Sequence, residues 1–441
     1  MLVVLALLFG CLASAESPAP WKAGVATVSI TPSEPVWMGG FSARKKPSEG
    51  IRQPLHAKAL ALQDATGKTA VLVTADIADF TREVSGQIFE HCRSRFGLTR
   101  DRLALNDSHT HSGPVIALSE MPLWYEFDEA QAEVVRRYTR GLVEKVVDVV
   151  GLAIKDLRPA ALEFEQGLAG VAVNRRRVRQ RSLPGPVDHD VPVLTVRSPA
   201  GELRAIVFGY ACHATALDDY QISGDWPGHA QAEIEKVQPG AVALFVQGCG
   251  ADLNPLPRRT PEQAQRHGQS IAEAVFQVVS KKMRPVGGPL KTEYELVSIP
   301  FHPVPTREEL EKHTASTSSM ERKAGQRLLR ILDRDGRLPA SYPYPIQVWQ
   351  FGSGLKFIAL GGEVVVDYSL RLKAQYGWDN TWVAGYSNDV FAYIPSLRVL
   401  KEGGYEGGDA NIGDGHPGPF GGATEEIIVE KIQDLVERLK K

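Results

Sequence analysis

Apolar residues along the chain gather into short runs rich in Val, Ile, Leu and Ala, the length and composition that suit buried strands. They fall at Ala59–Leu62, Ala70–Ile77, Leu103–Asn106, Val191–Val196, Ala205–Tyr210 and Val242–Gln247. Elsewhere the period lengthens to that of a helix. Asp128–Lys155 places Val134, Val135, Tyr138, Leu142, Val146 and Val149 on one stripe. Pro261–Lys282 opens on a proline, whose missing N–H costs nothing in a first turn. Glu308–Asp335 and Thr424–Lys440 are two further amphipathic helices. Hairpin-like strands follow at Thr292–Ile299, Ile346–Phe351, Leu355–Ala359 and Thr381–Gly385, with Gly352-Ser353-Gly354 as a turn between two of them. The alternation has no clean βαβ period. It predicts a mixed α/β fold, mixed β-sheets sandwiched by α-helices, in a single large domain over residues 16–441. Gly403–Gly422 is too glycine-dense for a helix or central strand and reads as a long functional loop.

Composition changes this picture little. A chain of 441 residues with 43% hydrophobic and 23% charged residues is ordinary for a globular protein. Its net charge of −2 gives no basic footprint for nucleic acid and no polybasic membrane patch. The first residues say more. Met1–Ala15 is apolar, ends in Ala13-Ser14-Ala15, and is too short to span a bilayer. It reads as a signal peptide, although no Lys or Arg precedes it, so the expected location is secreted or periplasmic. Cys11 after Leu8-Phe9-Gly10 marks the alternative of a lipoprotein. No transmembrane segment is expected in the mature chain. Cleavage leaves Cys92, Cys212 and Cys249, an odd number without CxxC spacing, which reads as buried free thiols.

Candidate chemistry gathers where apolar strands end. Asn106–Pro114 holds His109 and His111; on an extended segment residues two apart face one side, about 7 Å apart. Two imidazoles addressing one cavity suit zinc, yet a bare HxH equally describes two polar residues at a strand end. His213 follows Ala205–Gly209 in the same way and can be a ligand or a satisfied rim residue. Gln247–Pro255 is small and turn-rich, allowing close backbone approach. Glu363 after two glycines, and the run Tyr386–Pro395 with Tyr405-Glu406-Gly407-Gly408 beyond it, complete the set. Leu118–Phe127 can line a groove or pack as core, and Trp124 and Tyr125 read as packing residues.

In their order, Gly24-Val25-Ala26 with Ile30-Thr31-Pro32, Ser108–Pro114, Val173-Asn174-Arg175, His213 with Ser223-Gly224-Asp225, Gly362-Glu363, and Ser387-Asn388, Tyr393 and Tyr405-Glu406-Gly407 resemble the neutral ceramidase family. The resemblance implies one zinc ion held by His109, His213, Glu363 and Tyr393. It places His111, Arg175 and Tyr405 around the scissile group, as proton carriers or oxyanion donors. Zinc polarises a carbonyl and lowers the pKa of water to about 7, so hydrolysis of an N-acyl linkage in a small-molecule or lipid substrate is expected.

Two departures stand against the resemblance. Where the family carries a serine held essential for catalysis, two residues after its aspartate, this chain has Asn254, which offers a hydrogen-bonding amide and no hydroxyl nucleophile. The family's immunoglobulin-like C-terminal domain is also not expected, since the sequence closes on the helix Thr424–Lys440. The open alternatives are a zinc hydrolase of the same fold acting on an ester or carbohydrate-linked substrate, and a catalytically silent binding homologue.

Overall fold

The computed structural model describes residues 21–126 and 128–440. The expected signal peptide, with Cys11, lies outside the described residues.

Nine strands form the larger sheet: β1 (Trp21–Ser29), β2 (His56–Asp64), β3 (Thr69–Ala75), β4 (Leu103–Asp107), β5 (Arg158–Leu168), β6 (Asp190–Arg197), β7 (Leu203–Tyr210), β8 (Val242–Gln247) and the two-residue β9 (Arg284–Pro285). Their order is β8-β7-β6-β5-β1-β2-β3-β4, with β9 on β5. The two outer pairs, β8 with β7 and β3 with β4, are parallel; the rest are antiparallel. The second sheet runs β10 (Leu290–Pro300), β11 (Ser341–Phe351), β12 (Leu355–Leu360), β13 (Thr381–Ala384), the last pair again parallel. Trp21, Leu60, Phe164 and Leu194 of the first sheet meet Trp349, Phe351, Phe357 and Trp382 of the second in one buried cluster. That cluster is a sheet-on-sheet core.

Helices cover the outer faces. On the large sheet lie α1 (Arg82–Phe96), α2 (Glu129–Lys155), α3 (Asp225–Val237) and α4 (Pro261–Val279); α5 (Val366–Tyr376) and α6 (Thr424–Lys440) pack with the small one. The mixed α/β sandwich read from the sequence is the observed architecture.

Local chemistry sets the boundaries. Asp128 begins α2 with a capping box to Gln131, and Thr260 caps α4 ahead of Pro261. The helix expected over 308–335 is two, Arg307–Thr314 and Ser319–Asp335. Ser316, Thr317 and Ser318 break it, because hydroxyl side chains compete for the backbone, and Ser318 starts the second helix by accepting from the Glu321 N–H. Strands β1 and β5 and helices α1, α3 and α5 escaped the apolar-run reading. The outer half of β1 is only half-buried, and α3 carries Pro227 and Gly228 in its first turn. The segment 403–422 is irregular apart from two short turns at Tyr405–Gly407 and Asp409–Ile412. Cys92, Cys212 and Cys249 are free and buried.

Gly24 explains one sequence signature. A Cβ there would stand 2.1 Å from the Ala153 carbonyl oxygen, because the end of α2 lies directly on β1. Asp156 at that end also accepts from the Val25 N–H. Gly24→Ala therefore forces strand and helix apart and is expected to cost about 3 kcal/mol or more, read as a lowered midpoint in urea unfolding.

Candidate metal centre and cavity

The centre is assembled from chain segments that leave the ends of parallel strands. Beyond β4, the Ser108 N–H donates to Ala75 O and the Thr110 N–H to Ile77 O. Beyond β7, Ala214 bridges to Thr110 in parallel fashion, and its carbonyl accepts from the His111 N–H. The two histidine-bearing segments thus run side by side. A short parallel pair, Glu363–Val364 with Tyr393–Ile394, sets the carboxylate and the tyrosine next to each other. Asn106 ties the frame together. Its side chain accepts from the Gln247 N–H at the end of β8 and donates to Gly385 O just past β13.

His109 and His111 do reach one site, but not as an extended strand would deliver them. His109 has φ of 52°, a left-handed conformation uncommon for a residue with a side chain. The backbone turn brings the two Nε2 atoms to 3.1 Å. Gly40, with φ of 87°, lies flat against the His111 ring, where a Cβ would stand 2.2 Å from Cγ. Arg44 fixes the main chain there by donating to the His111 and Gly39 carbonyls.

Each of the other two imidazoles is pinned by its Nδ1. That of His109 donates to Ala78 O at 2.7 Å and lies 3.2 Å from Asp79; that of His213 donates to Gly250 O at 2.7 Å. Gly250 is needed for this approach, since a Cβ would stand 2.6 Å from the Cys212 nitrogen. With Nδ1 so engaged, both Nε2 lone pairs point inward. Glu363 Oε2 meets them at 3.3 Å and 3.1 Å. Three electron-rich atoms at this spacing suit a bound cation. Ligand atoms of a tetrahedral site with bonds of about 2.0 Å are separated by about 3.3 Å, so the arrangement fits a small divalent ion such as zinc.

The ionisation of these groups reflects how tightly they are packed together. Burial alone would raise Glu363, but His109 and His213 hold it well below the usual carboxylate range. Burial opposes a charge on His109, yet Glu363 and Asp79 keep it well above the ordinary imidazole value. His213 is pushed down to about 4 by burial and by the Arg175 guanidinium beside it. Burial and its two histidine neighbours also lower His111.

His109, His111 and His213 are all buried and bring their ligand atoms within 4.8 Å of one another, so they can hold a metal ion. His111 differs in one respect. Its Nδ1 has no partner, whereas metal-bound imidazoles ordinarily anchor their second nitrogen.

A cavity of about 400 Å³ opens onto this group. His109, His111, Glu363, Tyr393 and Tyr405 line it; Arg175, His213 and Asn254 do not. Arg175 stands behind the centre, bound to Glu406 at 2.6 Å, with its guanidinium 5.5 Å from the Tyr393 ring and Nη2 without an acceptor. Asn254 accepts from Thr215 Oγ1 at 3.4 Å. It follows Leu253, whose carbonyl receives the His213 N–H.

Residues 21–256 match the family described as neutral/alkaline non-lysosomal ceramidase, N-terminal. The chain belongs to the neutral/alkaline ceramidase family. Neutral ceramidase A of Dictyostelium discoideum is 25% identical over 262 residues, 54% of this chain and 36% of that protein. A neutral ceramidase of Oryza sativa subsp. japonica is 25% identical over 234 residues, 50% of this chain and 29% of that protein. The chain thus spans about a third of the length of these relatives. In fold it is similar to the neutral ceramidase of Pseudomonas aeruginosa, with a TM-score of 0.76 at 20% identity, covering 96% of this chain and 75% of that one. A ceramidase described as complexed with C2 gives 0.74 at 18%, covering 96% and 76%.

Several residues of this ceramidase-family centre had no role assigned from the sequence. The Tyr386 ring lies tilted against that of His109, 4.6 Å away, and its hydroxyl lies 3.5 Å from Glu363. Its φ of 48° is one signal, but only a structure shows it. Asp79 had no spacing signature, and Glu406 stood in the Tyr405-Glu406-Gly407 signature without a role of its own. Trp124 and Tyr125 do pack against core residues, and they also line the cavity. Trp124 donates to Asp414 Oδ1 at 2.8 Å and lies 6.4 Å from Tyr405, so the 118–126 segment and the 403–422 loop form one wall.

Metal content after dialysis separates the ligand sets. His109→Ala and His213→Ala are expected to weaken ion binding more than about 100-fold. His111→Ala is expected to leave one ion per chain, as the unanchored Nδ1 implies.

Proposed function

We propose that this chain is a zinc-dependent amidohydrolase that cleaves the N-acyl linkage of a lipid, with His109, His213, Glu363 and Tyr393 holding the ion. Membership of the ceramidase family supports the reaction class. The observation that carries the reading is the pair of carbonyl-pinned imidazoles converging with Glu363 at the inner end of a cavity. A zinc ion bound there supplies Lewis-acid polarisation of a carbonyl and lowers the pKa of water to about 7.

The chain's own residues do the rest. Tyr405 lines the cavity with its ring 5.1 Å from Tyr393; burial and Glu363 raise its pKa, so it stays protonated and can donate to a developing oxyanion. His111, kept neutral by its surroundings, has an Nε2 that takes a proton and returns it to the leaving nitrogen. Water adds its oxygen to the acyl carbon, the C–N bond breaks, and the products are a carboxylic acid and an amine. Arg175 orders Tyr393 and His213 from behind. Asn254 supplies neither nucleophile nor cavity wall, so water is the nucleophile this arrangement favours.

A second reading, hydrolysis of a more polar amide or ester, is favoured by Asp79 and Asp414 on the cavity wall. We further propose that the mature enzyme acts outside the cytoplasm, as the apolar leader implies. Labelled N-acylsphingosine given to the zinc-loaded chain decides between the readings. Release of fatty acid that disappears in His109→Ala supports the first. No release from a one-zinc chain that hydrolyses short polar amides or esters supports the second. On the accepted substrate, Tyr405→Phe is expected to lower kcat about 100-fold, while Asn254→Ala keeps kcat/KM within about ten-fold.

A further inference from the structure

The net charge of −2 conceals a local imbalance. In the run Arg175-Arg176-Arg177-Val178-Arg179-Gln180-Arg181, the first two arginines are buried and spent on Glu402 and Glu406. Arg177, Val178, Arg179 and Arg181 face outward. Val173, just before the run, pairs across to Asn254, which brings Leu256, Arg258 and Arg259 to the same face. Gly185 fits the 180–186 turn against the stem of Arg177, where a Cβ would stand 2.8 Å from Cδ. Burial and then the charges of Arg259, Arg175 and Arg179 lower the pKa of Arg258. Among the described residues, Arg259 pairs with Asp218, while no carboxylate lies at ion-pair distance from Arg177, Arg179, Arg181 or Arg258.

Apolar side chains stand among these charges. Val178 is 57% exposed, Leu256 38% and Val173 36%. The patch continues to the cavity. Arg259 covers the Phe41 ring at 5.2 Å, and Phe41 sits edge-on 4.8 Å from His111. Gly40 and Ser42, on either side of Phe41, line the cavity.

We propose that this face, formed by Arg177, Arg179, Arg181, Arg258 and the exposed Val173, Val178 and Leu256, docks the protein on an anionic lipid surface. Clustered arginines attract acidic headgroups, and apolar side chains between them enter the headgroup boundary. Nucleic acid would leave the three apolar side chains without a role, so the lipid surface is the occupant the chemistry favours. The position beside Phe41 puts the cavity rim near the membrane. The inference stands independently of the proposed hydrolysis.

The test is co-sedimentation of the purified chain with vesicles of phosphatidylcholine alone, and with vesicles in which about a third of the lipid is phosphatidylglycerol. Binding is expected to the anionic vesicles only, and to fall as salt rises. Each arginine is worth about a five-fold change in partition, so Arg177→Gln, Arg179→Gln and Arg181→Gln together reduce binding about 100-fold. The matching triple Lys variant keeps most of it, and Val178→Ser weakens it. Equal partition to both vesicles, partition to neither, undiminished binding by the triple Gln variant, or equal loss in the triple Lys variant would overturn the proposal.

Discussion

Two main-chain carbonyls, Ala78 O and Gly250 O, determine what the centre of this protein can do. Each takes the Nδ1 proton of one imidazole and so turns the Nε2 lone pair inward, toward Glu363. The resulting group is electron-rich from three sides and opens only onto the cavity. A proton held on His109 relieves the repulsion in part; a divalent ion relieves it better, because it meets all the lone pairs at once. The fold must therefore hold the two carbonyls and the two histidine segments in fixed relation, and much of the architecture serves that end.

It does so with parallel strand ends. Both outer pairs of the large sheet are parallel, the segments that leave β4 and β7 meet in a parallel bridge at Thr110 and Ala214, and the last pair of the second sheet is parallel as well. Asn106 joins the frames by bonding to β8 and to the turn after β13. A side-chain amide is suited to this post, since it accepts from one backbone and donates to another in a place where water cannot substitute.

Much of this was legible in the sequence, and the gaps have physical causes. Apolar runs located the strands that are buried on both faces, such as β7 and β8, because burial on both faces leaves no polar alternation. Strand β1, polar along its outer half, gave no such run. The helix α3 was hidden by Pro227 and Gly228, which a first turn tolerates and a periodicity reading penalises. His109, His111, His213, Glu363 and Tyr393 were chosen from motif order, and the structure brings them together. The route differed for His109, whose left-handed backbone replaces the extended geometry assumed for it. Tyr386 and Glu406 stood in candidate runs without assigned roles, and Asp79 in none, because what they do depends on contacts across long sequence separations. The charge summed over the chain likewise says nothing of where the charges lie, and the arginines after Asn174 lie together.

Under the function proposed above, the wall of the cavity rather than the metal centre decides which substrate is admitted. The imidazoles and Glu363 can serve any carbonyl that reaches them. What reaches them must pass Trp124, its acceptor Asp414, and Tyr405, which lie on two irregular segments held together by one hydrogen bond. Gly413 allows this contact, because a Cβ there would stand 2.2 Å from the Trp124 ring. Irregular segments can change without disturbing the sheets. A chain can thus keep His109, His213, Glu363 and Tyr393 in place and still change what it admits by rebuilding this wall alone.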